Sequence, residues 1–177
     1  MANLFLMTGP CGAGKTTLAQ RLTKERHLRC LSIDDFYAAF FGSDQVHEHR
    51  EQVWETFAIA IRIALEDDVD VLIDTNSPSR ADRDWFIERF PGYTFHLIVV
   101  EADKELCLAN NRERSRKIPE AEMESMFNRL EPVTDDEMNN YESVELYENR
   151  DNSGVKFVKK LSSSLPNTMS VTTPAVK

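Results

Sequence analysis

The chain has 177 residues, enough for one domain with a substantial core, and its 41% hydrophobic content is ordinary for a soluble globular protein. A formal net charge of -9 gives no global attraction for nucleic acid, so a partner of that kind would need a local basic groove. No apolar run approaches a membrane span and no basic n-region opens the chain. Three scattered cysteines, Cys11, Cys30 and Cys107, fit a reducing compartment better than a disulfide framework or a zinc site, so the expected location is cytoplasmic.

Leu4 to Met7 form a short apolar run that predicts a buried strand. It leads into Gly9-Pro10-Cys11-Gly12-Ala13-Gly14-Lys15-Thr16-Thr17, which has the form G-x-x-x-x-G-K-[ST] of a phosphate-binding loop. Leu18, Ala19 and Leu22 then recur at helical spacing. The glycines allow close backbone approach to an anion, and the loop N–H groups with the helix N-terminus surround a polyphosphate. Lys15 is placed to meet the β- and γ-phosphates of ATP, and the Thr16 hydroxyl to ligate Mg²⁺. Residues 9 and 11 to 17 are the candidate nucleotide-binding set.

A second strand is expected over Leu28 to Ile33, ending in Asp34-Asp35. Carboxylates at a strand's carboxyl end are well placed to meet a bound nucleotide, and Asp34 is the candidate general base. Aspartates also cap helices, and the two roles can be divided between the pair. The apolar stretch from Phe36 to Phe41 predicts core or pocket wall. His47 and His49, two apart, belong to a solvated connector rather than a metal pair. A long helix is predicted from Val53 to Leu65, and a third strand from Val69 to Asp74. Asp74-Thr75-Asn76 sits at the strand end, where an acidic residue supports Mg²⁺ or orients the acceptor. Ser79 is read as the cap of a helix running to about Phe90. A fourth strand over Thr94 to Val100 and a helix from about Ala102 to Arg114 continue the alternation. The fold class that follows is three-layer α/β, a mainly parallel sheet with helices on both faces.

Arg112, Arg114, Arg116 and Lys117 make the most basic run in the chain. It reads either as a solvated helix end or as a lid that brings arginines to a transferring phosphoryl group. Pro119 is expected at the first position of the next helix, whose apolar face is Met123, Met126, Phe127 and Leu130. The acidic stretch from Glu131 to Asp151 reads as solvated surface. Residues 155 to 158 form a possible last strand. The folded domain is thus placed at 1–161, with the candidate lid at about 110–119 and a polar, mobile tail at 162–177.

The order of these motifs resembles the small phosphate-loop kinases, AAA-type ATP-binding proteins that include the 5′-kinase domain of phage polynucleotide kinase. The shared pattern is the Gly-rich loop, Ser32-Ile33-Asp34-Asp35-Phe36, Asp74-Thr75-Asn76, the arginine run, and Pro119 before a helix reaching Glu131-Pro132. It spans roughly residues 2 to 132. The resemblance implies a P-loop NTPase fold with an arginine-bearing lid and transfer of the γ-phosphate of ATP to a hydroxyl on nucleic acid or a nucleotide. It implies Asp34 as general base, Asp35, Tyr37, Asp74, Thr75, Asn76 and Arg83 around the acceptor, and Arg112, Arg114 and Arg116 as lid arginines. Two positions depart from the pattern. Tyr37 stands where the polynucleotide kinase has an arginine that grips the acceptor phosphate, and a lid arginine of the family falls on Asn110. Relatives that phosphorylate hydroxymethyluracil bases in DNA, small metabolites or amino sugars keep other acceptors open. A nucleotide-dependent binding switch with slow ATPase activity is the rival from another class.

Overall fold

The computed structural model describes residues 1–43, 49–114, 117–151 and 153–162. Five strands run parallel: β1 (Asn3–Thr8), β2 (Arg29–Ser32), β3 (Val71–Asp74), β4 (Thr94–Ala102) and β5 (Ser143–Asn149). A sixth, β6 (Lys156–Ser162), pairs antiparallel with β5 at the edge. The sheet order is β2-β3-β1-β4-β5-β6. The helices are α1 (Lys15–Arg26), α2 (Ile33–Phe41), α3 (Arg50–Glu66), α4 (Arg80–Arg89), α5 (Lys104–Glu113), α6 (Glu120–Asn128) and the single turn α7 (Asp135–Met138).

Strand alternation divides the core into two layers of packing. Leu4 and Leu6 of β1, Val71 and Ile73 of β3, and Phe95 and Leu97 of β4 face Phe57 and Ile61 of α3, Phe86 of α4 and Tyr37 of α2. Met7, Leu72, Ile98 and Val100 face the other way, onto Leu18 and Leu22 of α1, Cys107 of α5 and Met123 of α6. Both sheet faces are therefore covered by helices, as a parallel sheet requires. The expected three-layer α/β fold is the one observed.

Local signals set several boundaries as expected. Ser79 caps α4 in a reciprocal box: its hydroxyl accepts from the Asp82 N–H, and the Asp82 carboxylate accepts from the Ser79 N–H at 3.1 Å. Other boundaries shift. Ile33 opens α2 rather than closing β2, and Pro119 is the N-cap of α6 rather than its first residue. The strand expected at 155–158 extends to Ser162, so Ser162 belongs to the sheet. Residues 163–177 of the expected tail, His47 and Arg116 lie outside the described residues.

The acidic stretch is the main correction. It is not all solvated surface, because it contains β5. Glu145 on β5 is 3% exposed and accepts two hydrogen bonds from Arg26, at 3.1 and 2.7 Å, and one from the Tyr147 hydroxyl at 2.9 Å. Glu137 is fully buried against Arg83. Two carboxylates that raise the local charge count in the sequence are internal ion-pair partners in the fold.

Candidate active site

The carboxyl ends of β1, β2, β3 and β4 lie on the same edge of the parallel sheet, and the phosphate loop leaves β1 there. Two glycines are forced by close approach. A Cβ on Gly9 (φ 139°) would sit 2.1 Å from the Val100 carbonyl oxygen, and one on Gly12 (φ 85°) 2.6 Å from that of Cys107. The loop is thus pressed against β4 and α5, leaving its other side for an anion.

Lys15 is buried at the start of α1. Its ammonium donates to the carbonyls of Gly9 at 2.8 Å and Pro10 at 2.9 Å, and reaches the Asn76 Oδ1 at 3.4 Å. Burial lowers its pKa, opposed by the charges of Cys11 and Asp74. Thr16 and Thr17 are exposed on the first turn. The Thr16 hydroxyl lies close enough to Asp74, the last residue of β3, to favour its charged form. Burial raises the Asp74 carboxyl above its ordinary value, with Thr16 and Lys15 pulling it back down. A hydroxyl and a carboxylate so placed, beside a loop for phosphates, are the sparse oxygen donors that Mg²⁺ shares with nucleotide phosphates. These two residues fit the ion.

The Asp74-Thr75-Asn76 segment is held from beneath. Thr75 and Ser77 share a hydroxyl–hydroxyl hydrogen bond of 2.7 Å, and Thr8 donates to the Ser77 carbonyl at 2.7 Å. Thr75 is buried in this pair, while Asn76 turns toward Lys15.

Asp34 and Asp35 are exposed on the first turn of α2, where negative charge also suits the helix N-terminus. The charge of Asp35 raises the Asp74 pKa, whereas that of Asp34 acts on Tyr37. Asp35 is thus the one of the pair whose charge reaches Asp74 at the end of β3, while that of Asp34 reaches Tyr37.

Three expected site residues are placed differently. Tyr37 is 4% exposed, its ring against Phe41 and its phenol oxygen hydrogen-bonded to Trp54; it is core, not an acceptor contact. Arg83 is also core. It donates to both oxygens of Glu137, at 2.6 and 2.8 Å, and to the carbonyls of Pro78 and Glu131. Arg83 therefore braces the backbone just after Asn76 instead of facing an acceptor. Arg112 is exposed and paired with Glu120 at 2.9 Å, away from the loop. Arg114, at the C-cap of α5, points its guanidinium at the Cys11 sulfur, 3.9 Å away, and its charge reaches both Lys15 and Asp74. Of the two described arginines of the basic run, Arg114 is the one at the phosphate loop.

Two asparagines that the motifs do not mark as loop contacts also touch the phosphate loop. Asn110 of α5 donates to the Gly12 carbonyl at 2.9 Å, and Asn149, the last residue of β5, donates to the Ala13 carbonyl at 3.1 Å. A separate surface hollow of about 560 Å³, bounded by Met1, Leu65, Asp68 and Tyr93, lies at the opposite end of the strands.

A family model described as an AAA domain matches residues 4–133. No curated protein matches the sequence. Among solved structures, a sugar kinase from Janibacter sp. HTCC2649 superposes with a TM-score of 0.64 at 19% identity, over 84% of this chain and 86% of that one. A chain of the Pnkp1/Rnl/Hen1 RNA repair complex gives 0.66 at 19% identity, over 73% of this chain and 44% of that one. A protein of the PezAT toxin–antitoxin system of Streptococcus pneumoniae gives 0.60 at 18% identity, over 92% and 74%. At this identity the likeness is one of fold. No helix among the described residues is long and apolar enough to cross a membrane.

Proposed function

Because the chain belongs to the AAA domain family, in its phosphate-loop kinase-like form, we propose that it transfers the γ-phosphoryl group of ATP to a hydroxyl acceptor. One observation carries this reading: Lys15, Thr16 and Asp74 converge at the mouth of the loop, with the α2 aspartates on the same edge of the sheet. Loop N–H groups and Lys15 would bind the β- and γ-phosphates. Thr16 and Asp74 would hold Mg²⁺, which neutralises phosphate charge when bound. Asp34 would accept the acceptor's proton as the new P–O bond forms, and Arg114 would stabilise charge on the transferring group.

The motif resemblance supports a nucleic acid or nucleotide acceptor, either a polynucleotide 5′-hydroxyl or a hydroxymethyluracil base in DNA. A small-metabolite acceptor is the second reading, and a specific observation favours it. Tyr37, Arg83 and Arg112 are engaged by Trp54, Glu137 and Glu120, so none of these three is poised as a clamp for an acceptor phosphate.

The test is transfer of label from γ-labelled ATP with Mg²⁺ to 5′-hydroxyl oligonucleotides, hydroxymethyluracil DNA, nucleosides and sugars. Asp34→Asn should cut transfer by about 10²- to 10⁴-fold while ATP still binds. Label appearing only as free phosphate with every acceptor would argue for a slow nucleotide switch. Equal rates in parent and variant would remove Asp34 from the base role.

A further inference from the structure

Two asparagines hold consecutive carbonyls of the phosphate loop, one from α5 and one from the end of β5. Asn110 comes from α5, the helix that ends in Arg114, and holds the Gly12 oxygen at 2.9 Å. Asn149 comes from the end of β5 and holds the Ala13 oxygen at 3.1 Å. A trans peptide is planar, with its C=O and the following N–H pointing in opposite directions. Drawing the Gly12 oxygen toward α5 therefore turns the Ala13 N–H into the loop, where the Pro10 carbonyl accepts it at 3.2 Å. Drawing the Ala13 oxygen toward the end of β5 turns the Gly14 N–H away from that strand end.

Asn149 carries a sign that this grip has been kept at a cost. The residue is 5% exposed, and its Oδ1 is buried with no hydrogen-bond partner among the described residues. A buried acceptor without a partner destabilises the fold. An apolar side chain of similar size would avoid that cost and would leave the Ala13 carbonyl unheld. Among the described residues, the hydrogen bond that the Asn149 side chain makes is the one to the loop.

We propose that Asn110 and Asn149 are positioning residues that together clamp the phosphate loop in its binding shape: Asn149 turns the Gly14 N–H for the nucleotide's phosphates, and Asn110 holds the Gly12–Ala13 peptide in the turn that the Ala13 N–H closes on the Pro10 carbonyl. The inference rests on the phosphate-loop reading above, but on binding rather than transfer. Donors fixed before the ligand arrives need no reorganisation when it binds, so loosening them lowers affinity for the polyphosphate.

The test is calorimetric binding of Mg²⁺-ATP and of inorganic tripolyphosphate to the full chain and to Asn110→Leu, Asn110→Gln and Asn149→Leu, with melting curves for each. Asn110→Leu and Asn149→Leu should each weaken tripolyphosphate by about 5- to 50-fold in protein that is still folded, and Asn110→Gln, which keeps the amide, should recover part of the loss. The double variant should lose less than the product of the two single losses, since both act on one loop. Unchanged tripolyphosphate affinity in both folded Leu variants would overturn the clamp, as would a lowered melting temperature with no change in affinity. Because these are binding measurements, the absence of any phosphorylated acceptor would count against the kinase reading and leave the clamp's own result standing.

Discussion

Arg83 and Glu137 form an ion pair in which both side chains are fully buried, with Nε to Oε1 at 2.6 Å and Nη2 to Oε2 at 2.8 Å. Burial lowers the Arg83 pKa, but the Glu137 carboxylate more than offsets this and leaves it raised. The pair ties α4 to α7, and through the Pro78 and Glu131 carbonyls it braces the backbone after Asn76. Glu137→Ala strands a buried cation and should cost about 3–5 kcal/mol in urea unfolding. Arg83→Met combined with Glu137→Leu should be far milder, since removing both charges removes the desolvation cost. A single variant as stable as the parent would mean that the pair is not sealed from water.

Arg114 and Arg112 sit two residues apart and differ in what they face. Arg114 looks onto Cys11 and the loop, while Arg112 pairs with Glu120 at the surface. Arg114→Ala should lower kcat by about 10²- to 10³-fold if it stabilises transferring charge. Arg112→Ala should change it by no more than about twofold, because an exposed pair contributes little. Steady-state rates of the two variants, side by side, check the assignment. A larger loss from Arg112 would reverse it.

The features legible in the sequence are those governed by local rules. The loop spacing, the strand-end Asp74 and the Ser79 cap each depend on a few adjacent residues, and each is where the sequence places it. The missed features depend on partners far along the chain. Arg83 beside Trp85 gives no hint of Glu137, 54 residues away. Alternation of Val144 and Leu146 with Glu145 and Tyr147 was a usable strand signal, but the surrounding acidic residues hid it, because only the fold brings Arg26 to Glu145. The asparagine grips are equally non-local: Asn149 reaches a carbonyl 136 residues away. The resemblance directed attention to Arg112, Arg114 and Arg116 together, and spacing alone does not tell which of them turns toward the loop.

Lys15 is held by loop carbonyls, and burial lowers its pKa. Phosphate oxygens beside it would favour the charged form, so nucleotide binding should be accompanied by proton uptake at alkaline pH. Calorimetry of ATP binding in buffers of different ionisation enthalpy reads that uptake directly. Lys15→Ala should abolish it and weaken ATP binding and turnover together. Uptake that persists in the variant would assign the proton to another group.

Asp74 couples stability and function in opposite directions. Its carboxyl is raised above the ordinary 3.8, chiefly by burial. Between 3.8 and the raised value, the folded protein keeps a proton that the unfolded chain has released. Native protein then binds more protons than unfolded, so rising pH through this window costs stability, and the full cost is present above the raised value. Asp74→Asn keeps the shape and a hydrogen-bond acceptor for Thr16 while removing the buried charge. It should therefore unfold at a higher temperature than the parent at pH 7 in the absence of nucleotide, and the gap should close as the pH falls toward 3.8. The same substitution removes the anionic oxygen that Mg²⁺ would require, so the extra stability conferred by Mg²⁺-ATP should shrink toward that of ATP alone. Melting curves at two pH values, with and without Mg²⁺-ATP, separate the two effects. A variant less stable than the parent at neutral pH would mean that the Asp74 charge is held by more than Thr16 and Lys15.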